Sequence, residues 1–391
     1  MLLTQPAPTR APIGLAAVGM SLIAVCYGLA RFAYGLFVPS FRVEFGLDAA
    51  TAGAVASGSY GAYCVAIVVA TAATSRWGAR PVAVAAGACA TLGTAMIAVA
   101  PGAAVLACGV VLAGSSTGLA SPPLAQAVAR SAPPRLEPRL QTVVNAGTGL
   151  GVLVSGPVAL LLADHWRWAW AAFSVAALAI TVWAASTVPG RGGTVGGPAA
   201  AAGTAGRTVA KLLGPRGGTG LLVAAALMGL GSAAVWTFGR DLVGSAGAGD
   251  LTGVVMWIAL GAAGLLGAFA GDLTTRIGLA RCWSIGLLGL GGATALLALA
   301  AGDPVVAIVT GAVFGAVYIA LTGLLLLWAT RVHADRPVFG VGAAFLAIAL
   351  GQALGAPVLG LVADAVTLPG AFLVAAVVCV LGALVRPRPG T

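Results

Sequence analysis

One residue in this sequence is out of place on physical grounds. Arg31 sits inside a long apolar run, in Cys26-Tyr27-Gly28-Leu29-Ala30-Arg31-Phe32-Ala33-Tyr34-Gly35. A guanidinium in hydrocarbon costs at least ~2.5 kcal/mol on insertion scales, so it needs a partner or a purpose. On α-helical spacing, Tyr27, Arg31 and Tyr34 fall at i, i+4 and i+7 and share one face. A cation between two phenols can hold an anion by charge-assisted hydrogen bonds, while the rings supply stacking. The alternative is that Arg31 snorkels outward or satisfies carbonyls of a neighbouring helix.

Other polar residues occur in the apolar runs at helical spacing: Gln141, Asn145, Thr148 and Ser155; Ser57, Tyr60 and Cys64, with Tyr63 adjacent; Tyr318 and Thr322; and Gln352. Trp236 and Trp257 add indole N–H groups. Singly, each is what glues membrane helices together. As a set, Arg31, Tyr27, Tyr34, Tyr60, Asn145, Trp236, Tyr318 and Gln352 are the candidates for an amphipathic binding site for a small-molecule substrate, which a family resemblance places on cavity-lining spans.

Absences narrow the chemistry. Every acid falls near the end of an apolar run or between runs, and His165 and His333 are both in connections. With no carboxylate at mid-run, a cationic drug has no counter-charge. A coupling proton would have to use the rim acids Asp164, Asp241 or Asp364. The six cysteines lie in apolar runs without a CxxC pair, so no metal site is expected. Gly114-Ser115-Ser116-Thr117-Gly118 matches a hydrolase string, but it lies within an apolar run with no histidine near. No nucleotide or metal motif accompanies it, so neither a cofactor nor an enzyme activity is expected.

The elements that must position these residues follow from composition. Of 391 residues, 60% are hydrophobic and 8% charged, with a mean hydropathy of +1.04. A soluble domain carries about 25% charged residues, and disorder needs low hydrophobicity. Gly 58 and Pro 21 show no Gly-X-Y period. The solvent is therefore a lipid bilayer, and the net charge of +10 sets topology rather than recruiting nucleic acid. The opening residues do not read as a signal peptide.

Apolar runs fall at about 13–39, 51–73, 81–100, 103–128, 141–163 and 168–188, then at 219–239, 251–271, 282–301, 304–329, 338–363 and 369–385. The spacing predicts twelve transmembrane helices in two six-helix halves, 1–188 and 219–391, joined by a Gly/Ala/Thr-rich linker at 189–218. With the N-terminus inside, 16 of the 20 basic residues fall on the cytoplasmic side; Arg42, Arg167 and Arg240 lie opposite and Arg31 lies within a span. That bias predicts both termini in the cytoplasm.

The halves look duplicated. A shift of 200 residues superposes Gly53 on Gly253, Gly61 on Gly261, Arg76 on Arg276 and Gly78 on Gly278. It also superposes Pro157-Val158 on Pro357-Val358 and Ala163-Asp164 on Ala363-Asp364. Arg, Pro and Asp coincidences mean more than Gly or Ala ones, because only ten acids exist in the chain. An unbroken offset implies two homologous halves in one orientation.

With these residues in view, the whole chain resembles the major facilitator superfamily. Ser75-Arg76-Trp77-Gly78-Ala79-Arg80 is similar to that superfamily's loop signature, a glycine followed by D-R-x-G-R-R. Its second copy runs from Gly271-Asp272 to Arg276, Gly278 and Arg281. Trp166-Arg167-Trp168 is similar to the entrance of its sixth span, and Gly156-Pro157 to part of its antiporter motif. Arg31 lies in a G-x-x-R-F-x-Y pattern like that of some little-characterised bacterial members. Departures exist: Ser75 and Thr275 stand where the family has aspartate, and Thr71 where it has the leading glycine.

The resemblance implies an all-α membrane protein whose halves rock about a central site lined by spans 1, 2, 4, 5, 7, 8, 10 and 11. It implies gating by Arg76, Gly78, Arg80, Gly271, Asp272, Arg276, Gly278 and Arg281, with helix ends or Asp272, Glu137 and Asp335 as partners. The alternative is that these arginines only enforce topology. The expected protein is a monomeric secondary transporter of the cell membrane, moving an anionic or amphipathic solute. A receptor or scaffold on the same fold, or a drug exporter, is the alternative.

Overall fold

The computed structural model describes residues 10–133, 135–162, 165–190, 217–266, 274, 276–334 and 337–387. The described residues are almost wholly helical. The first helix, α1, is built from Arg10–Ile23, a wide π-helical stretch Ala24–Phe32, and Ala33–Phe45. Then follow α2 (Ala49–Trp77), α3 (Ala79–Ala98), α4 (Ala103–Ser131), α5 (Glu137–Leu161) and α6 (Trp166–Thr187). The second series is α7 (Gly218–Ser245), α8 (Asp250–Leu266), α9 (Leu279–Ala300), α10 (Pro304–Val332), α11 (Pro337–Ala365) and α12 (Leu368–Leu384).

Ten of these are long and apolar enough to cross a membrane; α8 and α12, 17 residues each, are shorter apolar helices. At 1.5 Å per residue they reach about 26 Å, close to the hydrocarbon thickness. Large apolar side chains face outward all around, including Val65, Val68, Leu178, Leu299, Leu354 and Val377. That surface would aggregate in water and is at home among acyl chains.

Local chemistry sets the helix ends. The first run was expected to stop near Pro39, yet α1 continues to Phe45. Proline removes a single N–H, and the stop is Gly46 at φ 63°, whose left-handed backbone ends the ladder. The Asp48 carboxylate accepts from Thr51 N (2.7 Å) to open α2, and those Thr51 bonds hold its carboxyl below the usual range. Asp303 opens α10 in the same way, accepting from Val305 N and Val306 N. Gly78 (φ 90°, ψ 175°) separates α2 from α3, and Gly278 (φ 83°, ψ 152°) precedes α9. Both sit in a backbone region nearly exclusive to glycine.

Packing repeats with a six-helix offset. In the first series α2 packs on α4, α3 on α4 and α6, and α1 on α5 and α6; in the second, α8 packs on α10, α9 on α10 and α12, and α7 on α11 and α12. The α1–α5 crossing is close because Gly151 has no β-carbon to strike Ala24 O; at α7–α11, Gly351 does the same against Ala226 O. The two series meet along α2–α11 and α5–α8, and where α1 reaches α7.

Candidate functional site

The π-helical stretch of α1 carries Arg31 to this meeting surface. Its side chain is 7% exposed, so it does not snorkel. Nη2 donates to Gln352 Oε1 of α11 at 2.9 Å. Arginine has no acceptor, so the amide must turn its oxygen toward it. The amide nitrogen then faces Tyr318 Oη (3.2 Å) and Ser232 Oγ (3.4 Å). One polar chain thus links α1, α11, α10 and α7. The guanidinium carbon lies 4.7 Å from the ring centres of both Tyr60 and Tyr63, 5.1 Å from Phe32 and 6.0 Å from Tyr27. Ring faces replace part of the lost hydration of the cation.

Both expected phenols stay near Arg31, the Tyr27 ring at 6.0 Å from the guanidinium carbon and Tyr34 on the void that Arg31 lines, while their hydroxyls bond elsewhere. Tyr27 bonds Ser121 Oγ (2.9 Å), and Tyr34 donates to Ala52 O (2.9 Å). Tyr60 and Tyr63, one turn apart on α2, bring their ring centres closer still, to 4.7 Å. Tyr63 and Phe32 lie outside the expected set; only the i, i+3 spacing of Tyr60 and Tyr63 hinted at the former.

Trp236 is the aromatic hub. It stacks on Phe32 at 4.1 Å and meets Trp257, Phe314 and Tyr318 edge-on at 5.3–5.8 Å. A small void beside it is lined by Arg31, Tyr34, Gly35, Ala56, Ser59, Tyr60 and Trp236. Asn145 is not part of this cluster. It is exposed on α5, roughly 9 Å along the helix from Gly151 at the α1 crossing.

Beyond the void, toward the end of the bundle that carries the acids, further bonds join the two series. Arg42 of α1 pairs with Asp241 of α7, and Arg240 donates to Leu36 O. The Asp364 carboxylate of α11 accepts from Ala49 N (3.0 Å) and Ala50 N (2.7 Å), at the first turn of α2. A carboxylate there meets the positive end of the helix dipole. Ser57 donates to Ala353 O (2.6 Å), and Trp257 Nε1 to Ser155 Oγ (3.1 Å).

At the opposite end, Arg76, Arg276 and Arg281 are exposed, and Arg80 Nε donates to Val188 O (2.7 Å). Ser75, in the position of the family aspartate, donates to Ala72 O within its own helix. Gly271 and Asp272 lie outside the described residues, as do Asp335 and most of the 189–218 linker. The hydrolase-like string is explained by packing. A β-carbon on Gly114 would strike Ser59 and one on Gly118 the Tyr63 carbonyl, while Ser116 and Thr117 bond carbonyls of their own helix.

The backbone can be set beside solved structures. It is similar to the crystal structure of the nucleoside transporter NupG, with a TM-score of 0.73 over 95% of this chain and 98% of that one, at 14% identity. Such a likeness shows the fold. No curated protein matches the sequence. A family model does, over residues 23–386, and the chain belongs to the family it describes: the uncharacterised MFS-type transporter YbfB, within the major facilitator superfamily.

Proposed function

We propose that this transporter carries a small anionic or amphipathic organic solute by alternating access, with Arg31 and its partners as the central site. The observation that carries the reading is the Arg31–Gln352 bond. It joins the two helix series at a buried cation, in a region where the described residues hold no acid, so a solute there touches both moving parts. The fold is then twelve spans in two six-helix halves, about 1–188 and 219–391, with 189–218 as the connector. The packing pairs that recur after six helices support this.

The arginine-rich end faces the cytoplasm of the cell membrane, as the charge bias requires. Arg76, Gly78, Arg80, Arg276, Gly278 and Arg281 act in gating there. The bonds at the acid-rich end close the other side, and its rim acids Asp241 and Asp364 are the candidates for a coupling proton.

Counterflow in proteoliposomes tests the transport reading. Saturable exchange of an organic solute without ATP is the expected result; nucleosides, named for the fold neighbour, belong in the panel. A broad panel with no exchange would favour a receptor on the same fold. Reporter fusions after Gly214 and at Thr391 should both read cytoplasmic. Arg76→Ala should cut flux while leaving binding within a few-fold.

A further inference from the structure

Two arginines cross the acid-rich end, one from each helix series, and they are not equivalent. Arg42 of α1 gives Nη1 to the Asp241 carboxylate of α7, and keeps Nε on Leu47 O of its own series at 3.2 Å. Arg240 of α7 gives Nη1 to Leu36 O of α1, while its Nη2 stands 4.0 Å from Asp250 Oδ1 of α8, in its own series. Each cation thus addresses both moving parts. Arg42 has its carboxylate across the boundary and its carbonyl at home. Arg240 has the reverse.

The difference has an energetic consequence. A charge-assisted hydrogen bond is roughly twice as strong as one to a neutral carbonyl. Parting the two series at this end therefore takes the strong partner from Arg42 and the weak one from Arg240.

Arg240 is placed to recover. It is 8% exposed, and its Nε makes no hydrogen bond within the protein, so a single carbonyl holds a buried cation. Without Leu36 O the guanidinium would be a buried charge with no bond, which is costly unless a carboxylate takes over. Asp250 can do so. Its side chain is 87% exposed and free to turn, and 4.0 Å exceeds a hydrogen bond by only about one ångström. Gly253, one turn along α8 from Asp250, leaves room for the arginine stem: a β-carbon there would come to 2.9 Å from Arg240 Cγ.

We infer that Arg42, Arg240, Asp241 and Asp250 form the gate of the acid-rich side, and that it opens by exchange: as Arg42 releases Asp241, Arg240 leaves Leu36 O and takes Asp250. This rests on the alternating-access reading and adds gating residues at the end opposite the arginine-rich loops. Two cations and two anions take part, so opening leaves no net charge at the rim. The two acids then act with opposite sign. Asp241 holds the gate shut, and Asp250 holds it open. Acids that served only as helix caps or topology signals would have no reason to oppose each other.

The test is a distance distribution between spin-labelled amino acids encoded at Val43 and Val366, one in each series and both exposed, in the purified full-length protein without solute. Encoded labels leave the six native cysteines in place. Asp241→Asn keeps the shape and removes the charge, and should raise the separated population about two- to fivefold, as expected for a partly exposed ion pair. Asp250→Asn, added to that variant, should bring the population back toward the wild-type value by about twofold or more. Should Asp241→Asn fail to fold, Arg42→Gln removes the same pair from the other side and carries the same test.

A further rise in the separated population when Asp250→Asn is added overturns the exchange, because both acids would then hold the gate shut. A distribution that neither substitution moves, in folded protein, overturns the gate. Solute counterflow in proteoliposomes separates this from the transport reading. If the populations shift with the stated signs and no solute crosses, the gate stands and transport falls. If a solute exchanges and the populations do not move, transport stands and the gate is wrong.

Discussion

The two helix series share a frame and differ in what they put into the centre. Shifted by 200 residues, Arg31 falls on Gly231, Tyr60 on Leu260 and Tyr63 on Ala263. In the other direction, Gln352 falls on Val152, Tyr318 on Gly118 and Trp236 on Leu36. Not one residue of the polar cluster has its like in the other series. The positions that do repeat, Gly78 and Gly278 or Gly151 and Gly351, hold backbone. Gly118 shows the exchange: it lets α4 pack on the Tyr63 carbonyl of α2, where its counterpart Tyr318 reaches Gln352 with a hydroxyl. Repetition preserved how helices cross, and divergence built the site.

The hardest blow to the shared frame is to fill its crossings. Gly151→Val and Gly351→Val would each drive a side chain into backbone, at Ala24 O and Ala226 O. Backbone cannot rotate away, so each should cost about 3 kcal/mol. The folded, monodisperse fraction in detergent should collapse for both. Collapse of only one would show that the crossings are not equivalent.

The next test strikes the asymmetric centre. Arg31→Gln should insert and fold, because Gln352 can bond an amide as readily as a guanidinium. Its solute affinity should fall about ten- to hundred-fold, the worth of a charge-assisted contact of about 1.5–3 kcal/mol. Arg31→Lys should recover part of that, since an ammonium lacks the fork. Wild-type affinity and rate in Arg31→Gln would make the arginine structural.

Legibility in the sequence followed the same division. Apolar runs are a cumulative signal, and each of the twelve runs overlaps one helix, with ends differing by up to about six residues, as at Phe45 and Ser245. The centre depends on contacts with no local trace. Arg31 and Gln352 are 321 positions apart, and neither neighbourhood names the other. The rings nearest the guanidinium, Tyr60 and Tyr63, come from another helix, and no residue in Ala24–Phe32 announces a π-helical stretch. Asn145 had the right spacing on its own helix, but spacing along one helix does not say which residues of other helices stand at its level. The first run ended at 39 because Ser40, Arg42 and Glu44 follow, and an apolar run marks the bilayer core rather than the last hydrogen-bonded turn.

Between α2 and α3, and before α9, the shared frame can be probed more gently. Gly78→Ala and Gly278→Ala each force a β-carbon into a glycine-only conformation, at about 1–3 kcal/mol. No neighbouring atom lies near the Gly278 position, so strain alone acts there. Both variants should fold and bind, with exchange rates reduced to a similar degree. A loss confined to one would mean that only one loop moves in the cycle.

The smallest expected effect tests whether the acid-rich end is a closure or only a cap. Asp48 already serves the first turn of α2 from within the chain, through Thr51 N. Asp364 adds a second carboxylate to that turn from α11. Asp48 takes only the Thr51 N–H, so Asp364 serves the separate Ala49 and Ala50 donors, and because it comes from α11 its contact also joins the two series. Asp364→Asn keeps the shape and removes the charge, and should leave thermal stability nearly unchanged. A charge at a helix N-terminus is worth about 0.3–1 kcal/mol, which shifts a two-state balance by roughly two- to fivefold. Spin labels at positions 47 and 366 should therefore report a larger separated population in the variant. An unchanged distance distribution, with unchanged exchange, would reduce Asp364 to a passive cap.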